Sequence, residues 1–240
     1  MTLQGETKSK NSEKVEWDVE SLQKKGYDHF LLKEIMDVPE TIENTIRGRL
    51  IVDKGRAKLG GLEEVLKKIT ALDRLIIVGC GSASYAGQLG KYMLEEYANL
   101  PVDVELGSEF RYRKIIPHKN SALLAVTQSG ETADTLASVK KAKELGILTL
   151  GMVNVVGSTI ARETDAGVYN HAGPEVSIAS TKAFISQVTA FVLLTLLIGR
   201  ERGLSQKEGI EIATALSQVS TFARKILESH EHIKRVAEKY

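Results

Sequence analysis

Cys80 is the only cysteine in the 240-residue chain, so no internal disulfide can form and a reducing compartment is its natural setting. The cytoplasm is therefore the expected location. Neither sign of charge is in excess, because 32 Lys and Arg face 31 Asp and Glu. That balance removes the electrostatic case for a nucleic acid or an anionic membrane as partner. The polar Met1 end carries no apolar h-region, and no secretory signal is expected there. The most apolar run, Ala190 to Ile198, is about half as long as a membrane-spanning helix and reads as core. No Gly-Lys-Ser or Gly-Lys-Thr occurs, which excludes a nucleotide P-loop. Internal repeats are absent, as are low-complexity tracts beyond the first residues.

The chain does hold enough apolar residues, 42 %, to bury one large domain plus an extension. Residues 1–27 are polar in their first part, with Trp17 as a first anchor, and are expected to form a flexible lead-in. Helical patterns follow over Asp28 to Met36, after Pro39 as far as Gly48, and over Gly61 to Leu72. From there apolar runs alternate with helical patterns. The strands expected are Leu75 to Val78, Val102 to Leu106, Leu123 to Val126, Leu148 to Val153 and Gly167 to Tyr169. Helices are expected over Ser84 to Tyr97, Glu131 to Leu145, Thr159 to Glu163 and Ser180 to about Ile198. Because parallel neighbours need a crossover connection, this alternation predicts an α/β fold: a five-stranded parallel sheet in flavodoxin-like order, with helices on both faces. The main domain spans 28–200. Residues 201–240 form an extension of one long helix and one shorter helix.

In such a sheet ligands bind beyond the carboxyl ends of the strands. The stretch Leu123 to Thr135, LLAVTQSGETADT, has the form of a buried strand, a hydroxyl-rich turn and a helix start. Free N–H groups and the positive end of the helix dipole favour an anion there. Thr127, Ser129 and Thr132 offer donors around a phosphate, and Gly130 lets backbone approach. Plain helix capping by Ser129, with Thr132 in the first turn, is the competing reading. Glu131 reads as a first-turn carboxylate that complements the helix dipole.

Two further loops carry the same chemistry. After the first strand stands Gly79-Cys80-Gly81-Ser82-Ala83-Ser84. It misses the dinucleotide pattern because Ser84 stands where glycine is needed, although Glu105 lies near the place of a ribose-binding acid. Cys80 there is either a nucleophile favoured by a helix N-terminus or a small residue at a strand end. The loop Ile178-Ala179-Ser180-Thr181-Lys182 opens the most apolar helix; its alternative is a Ser cap with Lys182 in a surface salt bridge. His171 could face the site. His230 and His232 point to different sides of a helix, so no metal is expected. Convergence of Ser82, Ser129, Thr132 and Ser180 on one crevice favours a sugar phosphate over separate caps.

Four segments extend this reading: HFLLKEI from His29, SEFRYRK from Ser108, TQSGETADT from Thr127 and ASTKAF from Ala179. With them the chain resembles the first sugar-isomerase (SIS) half of the glutamine:fructose-6-phosphate aminotransferase (glucosamine-6-phosphate synthase) family, over nearly all of Trp17 to Tyr240. The resemblance implies binding of fructose 6-phosphate or glucosamine 6-phosphate by Gly81, Ser82, Thr127, Gln128, Ser129, Thr132, Ile178 and Ser180, without a cofactor. It also implies pairing, as a homodimer or with a second SIS half. Ala83 and Ser84 stand where the family usually has Ser and Tyr, which leaves the sugar's identity open. The family's glutaminase domain and the second SIS half, which supplies the isomerising residues, have no counterpart here. Residues 1–27 resemble the linker after the glutaminase, so the chain is not expected to make glucosamine 6-phosphate alone. A free-standing SIS sensor or subunit and a deglycase-like SIS enzyme with Glu131 as base are the alternatives.

Overall fold

The computed structural model describes residues 23–240; Trp17 and most of the lead-in lie outside them. The first helices, α1 (Phe30–Met36) and α2 (Val38–Ile46), precede the sheet, with Pro39 in the first turn of α2, where its missing N–H costs nothing. A two-residue hairpin, Leu50–Ile51 against Arg56–Ala57, follows. The single amphipathic helix expected over Gly61 to Leu72 is instead a 3-10 turn, Gly60–Val65, and a short helix α3, Leu66–Thr70. Gly61 packs directly on backbone, since a Cβ there would lie 2.0 Å from the carbonyl oxygen of Gly167. That close approach fixes the first turn apart from the regular helix.

The main sheet contains β1 (Arg74–Gly79), β2 (Val102–Leu106), β3 (Ser121–Thr127), β4 (Leu148–Val153) and β5 (Ala166–Tyr169). All neighbours pair in parallel, in the order β2-β1-β3-β4-β5, which is the flavodoxin-like arrangement. In register, Leu124 lies between Ile77 and Leu150. Side chains alternate between two cores. Leu75, Ile77, Leu124, Val126 and Met152 join the core that includes residues of α4 (Ser82–Ala98) and α8 (Lys182–Gly199). Ile76, Val78, Leu123, Ala125 and Val153 join the other, with residues of α5 (Gly107–Phe110), α6 (Ala133–Glu144) and α7 (Thr159–Glu163). A strand covered on both faces needs apolar residues at every position, which is why these runs are continuous.

As a whole α8 is long and apolar enough to cross a membrane, with mean hydropathy 1.8 over 18 residues, yet 72 % of it is buried inside the fold. It is a core helix, as its apolar run suggests. It lies alongside α4 in the same direction: a Cβ on Gly90 would lie 2.4 Å from the ring of Phe191, and one on Gly199 would lie 2.7 Å from the carbonyl oxygen of Tyr97. The chain ends in α9 (Gln206–Leu227) and α10 (His230–Lys239). Ser205 and Glu208 close a reciprocal capping box at the start of α9: the Ser205 hydroxyl accepts from the Glu208 N–H (3.2 Å) and the Ser205 N–H donates to the Glu208 carboxylate (3.1 Å).

Candidate functional site

The sheet order reverses between β1 and β3, so the loops leaving these strands diverge and leave a crevice at their carboxyl ends. The loop after β1 turns sharply at Gly81, whose φ of +58° and ψ of −133° suit glycine and strain any residue with a Cβ. This lets Ser82 open α4, whose N-cap residue, Gly81, has no side chain to cap it. The Ser84 hydroxyl donates back to the Gly81 carbonyl at 2.7 Å and stabilises the turn. Cys80 is partly exposed on the same loop, with its sulfur 3.7 Å from the Thr135 hydroxyl.

The turn after β3 differs in detail from simple capping. α6 begins at Ala133, so Thr132, and not Ser129, occupies the N-cap position, and its side chain makes no cap bond. The Thr132 hydroxyl instead lies 3.0 Å from that of Thr127, while the Ser129 hydroxyl accepts from the Glu131 N–H at 3.1 Å. Gly130 has φ +69°, and a Cβ on it would lie 1.9 Å from the Ser158 hydroxyl. Its small size therefore admits Ser158 and the left-handed backbone. The Glu131 carboxylate reaches across to accept from the Thr159 N–H at 2.8 Å, at the start of α7.

The third loop holds the largest departure from expectation. α8 begins at Lys182, and its N-terminus is occupied by a carboxylate from six residues upstream of the N-cap Thr181. One oxygen of Glu175 accepts from the Thr181 N–H (2.9 Å) and the Ala183 N–H (3.0 Å), and the other lies 3.3 Å from the Ser180 hydroxyl. The anion expected at this helix start is thus partly supplied by the protein. Lys182 is no surface residue: it is 3 % exposed and lies 3.3 Å from Asp37, which Lys33 also approaches at 3.0 Å. The neighbouring Glu34, 1 % exposed, accepts from the Val176 N–H at 2.6 Å and from the Ser177 hydroxyl. The HFLLKEI segment therefore anchors the loop that carries Glu175.

These three loops enclose a cavity of about 210 Å³. Ser82, Thr127, Gln128, Ser129, Thr132, Ile178 and Ser180 all line it, with Cys80, Ala83, Glu175, Ser177 and Gln187 among the others. Of the eight residues to which the resemblance gives a binding role, only Gly81 stands outside the lining, serving as the turn that presents Ser82. Among the described residues no Lys or Arg lines the cavity, so an anion there would rely on hydroxyls and on the N-termini of α4 and α6, where the N-cap residues make no side-chain cap bond. Among the described residues Glu175 is the one charged group in the lining, and its carboxylate sets a polarity. The α6 end is the more favourable place for negative charge, and the α8 end, with its carboxylate, for neutral donors.

Other sequence candidates lie elsewhere. Glu105 is held by Arg113 at 2.6 Å, which removes the acid of a dinucleotide site. His171 does not line the cavity; it sits at φ +57° in a T-shaped contact with the Tyr169 ring, 6.5 Å between centroids. Its pKa lies below the ordinary imidazole value because its surroundings are partly desolvated, with repulsion from Arg49 adding to this. His230 lies against Glu231 at 3.2 Å in the exposed α10. Sequence reasoning missed Glu175 and Gln187. The signal for Gln187 was an amide within the largely apolar α8; Glu175 gave none, since a carboxylate seven residues ahead of a helix start fits no capping pattern.

Comparison with known proteins agrees with this architecture. A family model described as the SIS domain matches residues 68–197. Among curated proteins, the glutamine–fructose-6-phosphate aminotransferase (isomerizing) of Chlorobaculum tepidum is 42 % identical over 99 % of this chain and 39 % of the relative. That of Clostridium tetani is 40 % identical over 94 % of the chain and 37 % of the relative. The chain thus spans about two fifths of the length of these relatives. Among solved structures, the C-terminal domain of glucosamine-fructose-6-phosphate aminotransferase from Francisella tularensis superposes with a TM-score of 0.83 at 33 % identity, covering 90 % of this chain and 61 % of that one.

Proposed function

The chain belongs to the SIS domain family, and we propose that its crevice binds fructose 6-phosphate or glucosamine 6-phosphate as one module of an aminotransferase of amino-sugar biosynthesis. The observation that carries this reading is the meeting of hydroxyls from three loops, around two helix N-termini whose N-cap residues make no side-chain cap bond, in one small cavity. Its size suits a small polar ligand more than a drug-sized one. The phosphate takes the α6 end, near Thr127, Gln128, Ser129 and Thr132. The sugar extends towards Ile178, Ser180 and the Glu175 carboxylate, away from which the phosphate is repelled. The chain itself binds and orients; no isomerising residue is assigned to it. The deglycase alternative finds no support in Glu131, whose carboxylate is engaged with the α7 N-terminus.

The same reading pairs the module with a second SIS half or a second copy, in the cytoplasm. Phe222, Ile226, Ile233 and Val236 on α9 and α10 are between 46 % and 64 % exposed, and no residue of α10 is buried, so these helices offer an apolar face to a partner.

Thermal unfolding in the presence of fructose 6-phosphate, glucosamine 6-phosphate, glucosamine and inorganic phosphate tests the assignment. Ligand at about 100 times its Kd stabilises by about 2.7 kcal/mol, or about 5–10 °C for a chain of this size. The shift is expected with both sugar phosphates and lost in the Ser129→Ala, Thr132→Ala double variant. No shift, or a shift that survives in the double variant, would sink the assignment.

A further inference from the structure

We infer that Gln187 determines specificity in this cavity by hydrogen bonding a hydroxyl of the ligand's sugar, an inference that rests on the sugar-phosphate reading above. Gln187 lies in the second turn of α8, lines the cavity and is 2 % exposed. Its amide oxygen is buried and has no hydrogen-bond partner. Other buried side-chain atoms without partners belong to Ser158, Asn170, Thr195 and Arg200, and among the described residues only Gln187 combines that condition with a place in the cavity wall. A buried acceptor left unpaired is costly, so a polar group is retained there against the apolar character of the helix.

α4 and α8 run side by side with Gly90 against Phe191, so one turn earlier Gln187 is level with the first turns of α4, whose Ser82 and Ala83 also line the cavity. We place the missing partner of the amide in the cavity that Gln187 lines. A phosphate dianion has no proton to give to an amide oxygen, and Glu175 on the same side of the cavity repels it. A sugar hydroxyl can donate and accept, so it satisfies either atom of the amide. The occupant of this end is thus a polyhydroxylated part of the ligand, such as a hexose carbon bearing a free hydroxyl.

Titration calorimetry on the whole chain separates the roles. Gln187→Met, which conserves shape, is expected to weaken fructose 6-phosphate and glucosamine 6-phosphate about tenfold and to leave inorganic phosphate unchanged. The ligand-free melting temperature should not fall, because the unpaired acceptor is removed; a fall with unchanged affinities would mark a structural role and overturn the inference. Equal weakening of sugar phosphates and inorganic phosphate would also overturn it. A series of deoxy sugar phosphates on the unmodified protein needs no variant. One deoxygenated position should cost about tenfold there and nothing further in Gln187→Met. A series in which no hydroxyl matters refutes the inference alone, whereas no binding of any sugar phosphate refutes the reading beneath it as well.

Discussion

Replacing Glu175 separates its service to the helix from its effect on the ligand. In Glu175→Ala the Thr181 and Ala183 N–H groups at the start of α8 lose their acceptor, and the Ser180 hydroxyl loses a neighbour at 3.3 Å. Loss of a cap costs about 1 kcal/mol, and removing a negative charge from a partly buried helix N-terminus costs about another 1 kcal/mol. The sum of about 2 kcal/mol corresponds to a fall in melting temperature of about 4–8 °C. In Glu175→Gln an amide oxygen still accepts, so only the charge is lost and the fall should be about half as large. The ligand responds in the opposite direction: with no carboxylate in the cavity, inorganic phosphate should bind several-fold more tightly to Glu175→Gln than to the unmodified chain. Thermal unfolding and calorimetric titration of phosphate on the same preparations provide both numbers. If Glu175→Ala melted with the unmodified protein, the carboxylate would not be the helix cap. If Glu175→Gln bound phosphate more weakly, the charge polarity assigned to the cavity would be wrong.

Three further perturbations address the scaffold. Gly130→Ala places a Cβ against the Ser158 hydroxyl in left-handed backbone and should cost about 3 kcal/mol in denaturant unfolding; a neutral result would contradict the close packing of that turn. Asp37→Ala removes the carboxylate that the buried Lys33 and Lys182 share and should destabilise by about 3 kcal/mol, with Lys182→Met partly restoring stability in the double variant. The pKa of His171 is lowered on folding, so the unfolded chain binds its proton more readily. Its contribution to stability is full above the unfolded pKa of about 6.5 and is lost as the pH falls through the folded value. His171→Asn, which tolerates the φ of +57°, should flatten the acid side of a melting-temperature profile, and an unchanged profile would remove His171 from the pH response.

Local patterns carried most of the architecture and much of the cavity. Run length marked the central strands because a strand buried on both faces must be apolar, alternation marked the edge strand Val102–Leu106, and helix starts followed from Ser, Thr and Gly beside periodic segments. The position of an α/β ligand site beyond the strand ends then selected loops whose residues do line one cavity. Such inferences need only a window of neighbouring residues. What the sequence could not express were pairings between distant segments. Glu34 accepts from the N–H groups of Val176 and Ser177, 142 and 143 residues away, and so anchors the loop of Glu175. Lys182 looks like an exposed cation because nothing nearby in sequence shows that Asp37 will face it in a buried position. Ser158 decides why residue 130 must be glycine, and the fold leaves the Gln187 amide oxygen buried and unpaired among the described residues, in a side chain of the cavity wall. Composition and periodicity determined that this chain folds as a parallel α/β sheet with hydroxyl-bearing loops at one end. Only the tertiary structure decided which of those loops a protein carboxylate already occupies, because a charge takes a helix N-terminus only once the fold has brought the two together.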